Sequence, residues 1–193
     1  MNRQRTWQEY RTIDLAILGA ILAVCEFLTV KAANIWFPAQ PYTVSLAAAV
    51  TSIVYMRWGW WGALHAVLSG FVFCATVGAE LRSYLIYCLG NLLSVLAVPV
   101  LLKIGKEKVR TGSLALVFPA AVLLLMQAGR ALVALATGAP ARSCVGFFTT
   151  DSISMLFTIV VIWIARRLDG VYEDQKHYLL RLSEKENAEK EGH

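Results

Sequence analysis

The sequence predicts an all-α, polytopic membrane protein: six transmembrane helices with both termini in the cytoplasm. Three observations carry this expectation. Hydrophobic residues make up 58% of the 193 and charged residues 16%, against roughly 45–50% and about 25% in soluble domains. The apolar residues are gathered into long runs divided by Gly, Pro and charge, as helical spans of about 20 residues require. Lys and Arg are spread so unevenly among the loops that they sort them into two sets. A β-barrel would show short strands of alternating hydrophobicity instead, and in lipid only helices or closed barrels satisfy every backbone group.

The spans follow in order. The first, 13–35, carries Glu26 and Lys31; its length and those charges are unlike the short apolar core of a cleaved leader, so it is expected to stay as a span. The second, 43–56, follows Pro38 and Pro41 and is short for a full crossing, so it is expected to lean on protein rather than lipid. Gly59 and Gly62 open the third, 59–77, and the fourth covers 82–102. Gly112 precedes the fifth, 113–137, and Gly138 with Pro140 follows it, breakers that mark both ends. The sixth is 145–165. Residues 1–168 thus form one bundle, with no room for a second soluble domain. Residues 169–193 form a charged cytoplasmic tail that alternates sign around Tyr178, Leu179, Leu180 and Leu182. It reads as a surface helix fraying into solvent.

Orientation comes from the short loops. Arg3, Arg5 and Arg11, Arg57, the group Lys103, Lys106, Lys108 and Arg110, and finally Arg166 and Arg167 all belong to one side, while the opposite loops hold only Arg82 and Arg142. The positive-inside rule makes the first set cytoplasmic. The net charge of +5 is then a topology signal. Its members flank spans and form no aromatic-interleaved stripe, so no nucleic-acid partner is expected. Trp58, Trp60 and Trp61 cluster at the inner boundary as interface anchors. Cys25, Cys74, Cys88 and Cys144 show neither a CxxC pair nor ligand spacing; they read as packing residues, with no metal site. His65 has Ser69 one turn on but no GxSxG context, so no catalytic residue and no enzyme activity are expected. The chain holds no GxxxxGK[ST] loop and cannot hydrolyse ATP through a P-loop of its own.

Seven ionisable side chains lie within or beside the apolar runs: Glu26, Lys31, Glu80, Arg82, Arg130, Arg142 and Asp151. Charge near lipid is costly and faces a protein interior or a wet cavity, where it serves a function. The topology places nearly all of them toward the outer side. Arg130, for example, is about 26 Å along the outward-running fifth span at 1.5 Å per residue. Tyr84, Tyr87 and Asn91 recur at spacings of three, four and seven, which puts them on one helical face. The expected outward-facing pocket therefore draws on Glu26, Trp36, Glu80, Arg82, Tyr84, Tyr87, Asn91, Arg130 and Asp151, with the loop from Trp36 to Tyr42 as its lid. Competing readings remain open: Lys31 and Arg82 as snorkelling charges, Arg142 as a loop charge, Trp36 and Tyr42 as interfacial aromatics, and a Glu26–Arg130 ion pair as a structural tie. Four cations against three carboxylates point to a ligand with an anionic group and a flat ring. The inner halves, 95–102, 114–125 and 156–165, carry almost no polar side chains, which argues against a continuous pore.

At the inner end of the first span, Ala16 and Ala20 are four apart, and Gly19 and Ala23 form a second such pair. Such a ladder allows close helix approach, either inside the bundle or to a partner. Length, six spans, inside termini, this ladder, and a first outer loop with Trp36, Pro38 and Pro41 together resemble the substrate-binding S component of energy-coupling factor (ECF) transporters. The resemblance covers nearly the whole chain but is one of architecture. Where that family often has a third small residue one turn on, this chain has Val24. The resemblance implies a bacterial plasma-membrane protein that captures a vitamin or related micronutrient from outside. It would then dock through the ladder onto a transmembrane coupling subunit, whose two ATPase subunits hydrolyse ATP. It further implies release by toppling in the membrane. Two other classes stay in view: a stand-alone secondary transporter, which calls for inverted repeats or broken helices, neither of which the sequence displays, and a structural or assembly protein of the membrane.

Overall fold

The computed structural model describes residues 6–38 and 44–191. All regular structure among them is helical. Helix α1 (Trp7–Trp36) begins six residues before the expected first span, because Thr6 and Glu9 form a reciprocal cap. The Glu9 N–H donates to Thr6 Oγ1 at 3.3 Å and the Thr6 N–H to Glu9 Oε2 at 3.0 Å, a capping box. At about 45 Å α1 exceeds the roughly 30 Å hydrocarbon core.

Helix α2 (Ala47–Trp58) is twelve residues long, about 18 Å, and every residue in it except Arg57 is buried. It leans on protein, as its short apolar run suggests, packing against α1 and the helices that follow. A 3₁₀ turn at Gly59–Trp61, with Gly59 at φ +60°, leads into α3 (Gly62–Val77), which packs along α2. A side chain at Gly62 would collide with the Tyr55 ring at 2.4 Å. The remaining helices are α4 (Leu81–Ile104), α5 (Lys106–Thr111), α6 (Leu114–Ala136), α7 (Ala141–Thr149), α8 (Ser152–Ala165) and α9 (Gln175–Glu191).

Among the described residues, five helical stretches are long and apolar enough to cross a membrane: Trp7–Trp36, Ala47–Val77, Leu81–Ile104, Leu114–Ala136 and Ala141–Ala165. The third expected span and the second from Ala47 onward fall within one of these stretches, divided at Gly59. The chain is an all-α, membrane-embedded protein. Its outer faces carry exposed apolar residues such as Ile17, Val24, Leu28, Leu132 and Val160, the surface a lipid solvent requires.

Two spans are less regular than the sequence suggests. Helix α4 contains a π turn at Leu85–Leu89 and a 3₁₀ stretch at Leu92–Leu96. The sixth expected span is broken at Thr150–Asp151, between α7 and α8. The expectation of unbroken helices is therefore corrected. The break falls without Gly or Pro: Thr150 Oγ1 donates to the Gly146 carbonyl at 2.7 Å, a local bond that competes with helix propagation.

One apolar cluster fills the bundle, joining Tyr55, Met56, Val98, Leu101, Val122, Met126 and Ile162. The tail does not float free of it. Tyr172, Glu173 and Gln175 are buried, which corrects the reading of this stretch as solvated. Arg57 donates to both Asp14 oxygens, at 2.8 and 2.6 Å, and to the carbonyls of Gly170 and Val171. Trp58, expected as an interface anchor, instead donates to Asp14 and packs against Trp7 and Tyr10. Tyr10 donates to Gln175 at 3.1 Å, Lys106 pairs with Asp174, and Arg110 bridges Glu107 and Glu173. Burial pushes the Asp174 carboxyl up, but Lys106 and two backbone N–H groups outweigh it and hold the group below its usual value. The bond from Arg110 likewise draws Glu107 down. Helix α1's start, the α2–α3 turn, α5 and the tail thus meet at one end of the bundle. Arg3 and Arg5 lie outside the described residues.

Candidate functional site

Helix α1 buries a single stripe, Leu22, Glu26 and Val30, spaced by one turn. Glu26 is the polar member of that stripe and is 1% exposed. It reaches the start of α2, where the Ser45 hydroxyl and the Leu46 N–H donate to its Oε2 at 2.9 and 3.1 Å. The first N–H groups of a helix lack intrahelical partners, so a carboxylate there is well placed. Ser45 also serves α2, accepting from the Ala47 N–H at 3.1 Å, and its own N–H donates to Ser154 of α8 at 3.1 Å.

Close backbone crossings set the opposite wall. At Gly90 of α4 and Gly129 of α6 the chains approach so nearly that a Cβ on Gly129 would lie 2.0 Å from the Gly90 oxygen. A Cβ on Gly70 of α3 would lie 2.6 Å from the Tyr87 carbonyl. Small residues at such crossings are what membrane helices use to pack. Here they bring Tyr87 and Asn91 of α4 against Arg130 of α6. Arg130 donates through Nε to Asn91 Oδ1 and through Nη1 to Asp151 Oδ2, both at 2.8 Å, and its guanidinium sits 4.8 Å from the Tyr87 ring centre. Asn91 in turn donates to the Ala66 carbonyl at 3.1 Å and to Ser69 Oγ at 3.0 Å. Asp151 occupies the helix break at the N-cap position of α8, where the helix dipole favours a carboxylate. The bonded chain ties α3, α4, α6 and α8 into one polar unit inside an apolar bundle. It continues through Ser94, which donates to the Asn91 carbonyl at 2.6 Å, to the Tyr55 hydroxyl at 2.9 Å.

Glu26, Ser45, Ser69, Phe73, Tyr87, Arg130 and Asp151 line a common cavity of about 10 Å³, room for one water. The Phe73 and Tyr87 rings are 4.6 Å apart. Thus five of the nine expected binding residues, Glu26, Tyr87, Asn91, Arg130 and Asp151, are brought together, and four are not. Trp36 is exposed at the end of α1. Glu80 is exposed before α4, and Arg82 is exposed and donates to Thr137 Oγ1 at 3.2 Å. Tyr84 packs on Phe71, ring centres 5.5 Å apart; the π turn after it alters the register that would have aligned it with Tyr87 and Asn91. Lys31 and Arg142 are exposed as well. Arg130 pairs with Asp151, not with Glu26 as the competing structural reading has it. Tyr42, and most of the expected lid loop, lies outside the described residues.

Ser45, Ser69 and Phe73 are members that sequence reasoning missed. A signal existed for two of them: Ser45 stands just ahead of an Ala run, separated from it by Leu46, and Ser69 lies one turn from His65. The small-residue ladder divides. Ala16 and Ala20 are exposed, whereas Gly19 and Ala23 are half-buried; Gly19 faces Leu68 and the His65 ring of α3, 3.5 and 3.7 Å from where its Cβ would be.

Comparison with known proteins yields no match: no family model, no curated protein and no solved structure matches the chain.

Proposed function

We propose that this chain is the substrate-binding membrane subunit of an ECF-type importer, inserted in the bacterial plasma membrane with both termini inside and six crossing segments. It captures a vitamin or related micronutrient from the outer side and has no catalytic chemistry of its own. One observation carries the reading: buried Glu26, Arg130 and Asp151, with half-buried Tyr87, converge from four helices on one cavity inside an apolar bundle. Charges buried this way in a membrane mark a substrate or ion site. The packed cluster of Tyr55, Met56, Leu101 and Met126 on the other side favours capture over conduction. At about 10 Å³ the cavity is closed, so substrate entry requires it to open. Exposed Ala16 and Ala20 offer the flat strip for a coupling subunit, whose ATPase subunits supply the energy, and Gly19 with Ala23 belong to the bundle's own packing. A second reading, a proton-coupled secondary transporter, draws on the broken helix at Asp151, a feature of such carriers.

The test is ligand-induced stabilisation. Full-length protein in detergent is heated with each member of a vitamin panel, and the same is done for Arg130→Ala. Binding predicts that at least one compound raises the wild-type midpoint by several degrees and does not raise the variant's. A panel without effect on either protein contradicts the reading.

A further inference from the structure

We infer that the ligand of this cavity carries a positive charge on a flat ring, with Glu26 as its counter-ion. This inference rests on the binding reading above and names the chemical class that the site selects. The lining holds two carboxyl groups and one guanidinium. The guanidinium is already committed. Arg130 pairs with Asp151 at 2.8 Å with both side chains buried, gives its Nε proton to Asn91, and has its face covered by Tyr87. Pairing of this kind is what makes a buried charge tolerable, and a ligand that broke it would take from Asp151 the arginine that pairs with it.

Glu26 is different. Its bonding partners, the Ser45 hydroxyl and the Leu46 N–H, are neutral, and both donate to Oε2. Among the described residues no Lys, Arg or His forms an ion pair with it, and the segment 39–43, Ala-Gln-Pro-Tyr-Thr, contains no basic residue. Oε1 receives neither of those hydrogen bonds, and Glu26 lines the cavity. With Glu26 ionised, the lining carries one negative charge in excess. An anionic ligand would add like charge in a low dielectric, whereas a cationic one neutralises the site. The walls agree with this. Phe73 and Tyr87 put aromatic rings in the wall of the same cavity, and aromatic rings attract cations and flat rings. Counting charges along the sequence favours an anion only because Lys31, Arg82 and Arg142 are included; all three are exposed, and none lines this cavity.

Three probes of one shape separate charge from size: benzamidinium, neutral benzamide and benzoate. Dissociation constants are measured by ligand-observed NMR titration on the full-length protein in detergent micelles, for wild type and Glu26→Gln. A charge-assisted hydrogen bond is worth about 1.5–3 kcal/mol, so benzamidinium should bind wild type at least about tenfold tighter than either companion. In Glu26→Gln that preference should vanish. Benzoate binding tighter than benzamidinium, a preference that survives in Glu26→Gln, or failure of all three to bind overturns the inference. If the variant does not fold, the wild-type order alone decides. A vitamin from the thermal panel that binds with no dependence on Glu26 sinks the charge assignment and leaves the binding reading standing. Absence of binding by every compound in both experiments sinks the binding reading itself.

Discussion

Replacing Arg130 by Ala should be among the most damaging single substitutions in this protein. The side chain is 6% exposed and holds Asp151 and Asn91, each at 2.8 Å. Its removal leaves the Asp151 carboxylate in the bundle without the cation that pairs with it, and leaves Asn91 Oδ1 without that donor. Breaking a buried pair from one side costs about 3–5 kcal/mol. For a chain of this size about 1 kcal/mol moves a melting midpoint by roughly 2–4 °C, so the expected fall is on the order of 6–20 °C. Removing both charges is predicted to hurt less than removing one, because apolar replacement of a whole buried pair is close to neutral. The assay is a double-mutant cycle of Arg130→Met, Asp151→Leu and the pair, read by thermal unfolding in detergent. A coupling of several kcal/mol is expected. Additive single effects of under about 1 kcal/mol each would refute the claim that this pair organises the site.

Gly129→Ala should fail to reach the membrane in folded form, or lose several degrees of melting temperature, since its Cβ would lie 2.0 Å from the Gly90 oxygen; expression and gel filtration check this. Ala16→Trp should leave the melting temperature unchanged, because the site is exposed, yet abolish uptake in cells. Gly19→Leu should destabilise the isolated protein, because its side chain would press on Leu68 and His65. The tail latch has a pH dependence of definite sign. Asp174 is held below its usual value of 3.8, so its contribution is present at pH 5–7 and fades only as the pH falls below 3.8, through the depressed value. Proteolysis between residues 168 and 175 should therefore stay slow down to about pH 4 and accelerate below it, and Asp174→Asn should accelerate it at neutral pH.

The site's charged members were readable because a charge in an apolar run is costly and stands out. Glu26, Arg130 and Asp151 declare themselves in this way, and all three line one cavity. Which charges pair was not readable, since the partners meet through crossings at Gly90, Gly129 and Gly70 that periodicity does not reveal. Tyr84 left the expected stripe because a π turn has no sharp residue signature. The break before Asp151 hides for a similar reason: a threonine hydroxyl, not Gly or Pro, accompanies it. In the tail, Glu173 and Asp174 look like solvated charges locally, and only the fold supplies Lys106 and Arg110, more than sixty residues away. The helices themselves were legible because lipid leaves the backbone so few alternatives.

The most direct test of the account is a native mass spectrum of the full-length protein, purified from its host in mild detergent. The account predicts a stoichiometric adduct, one small organic molecule per chain, that is lost in Arg130→Ala and in Glu26→Gln. A wild-type chain that stays at its bare mass, even after incubation with a cell extract, would contradict it.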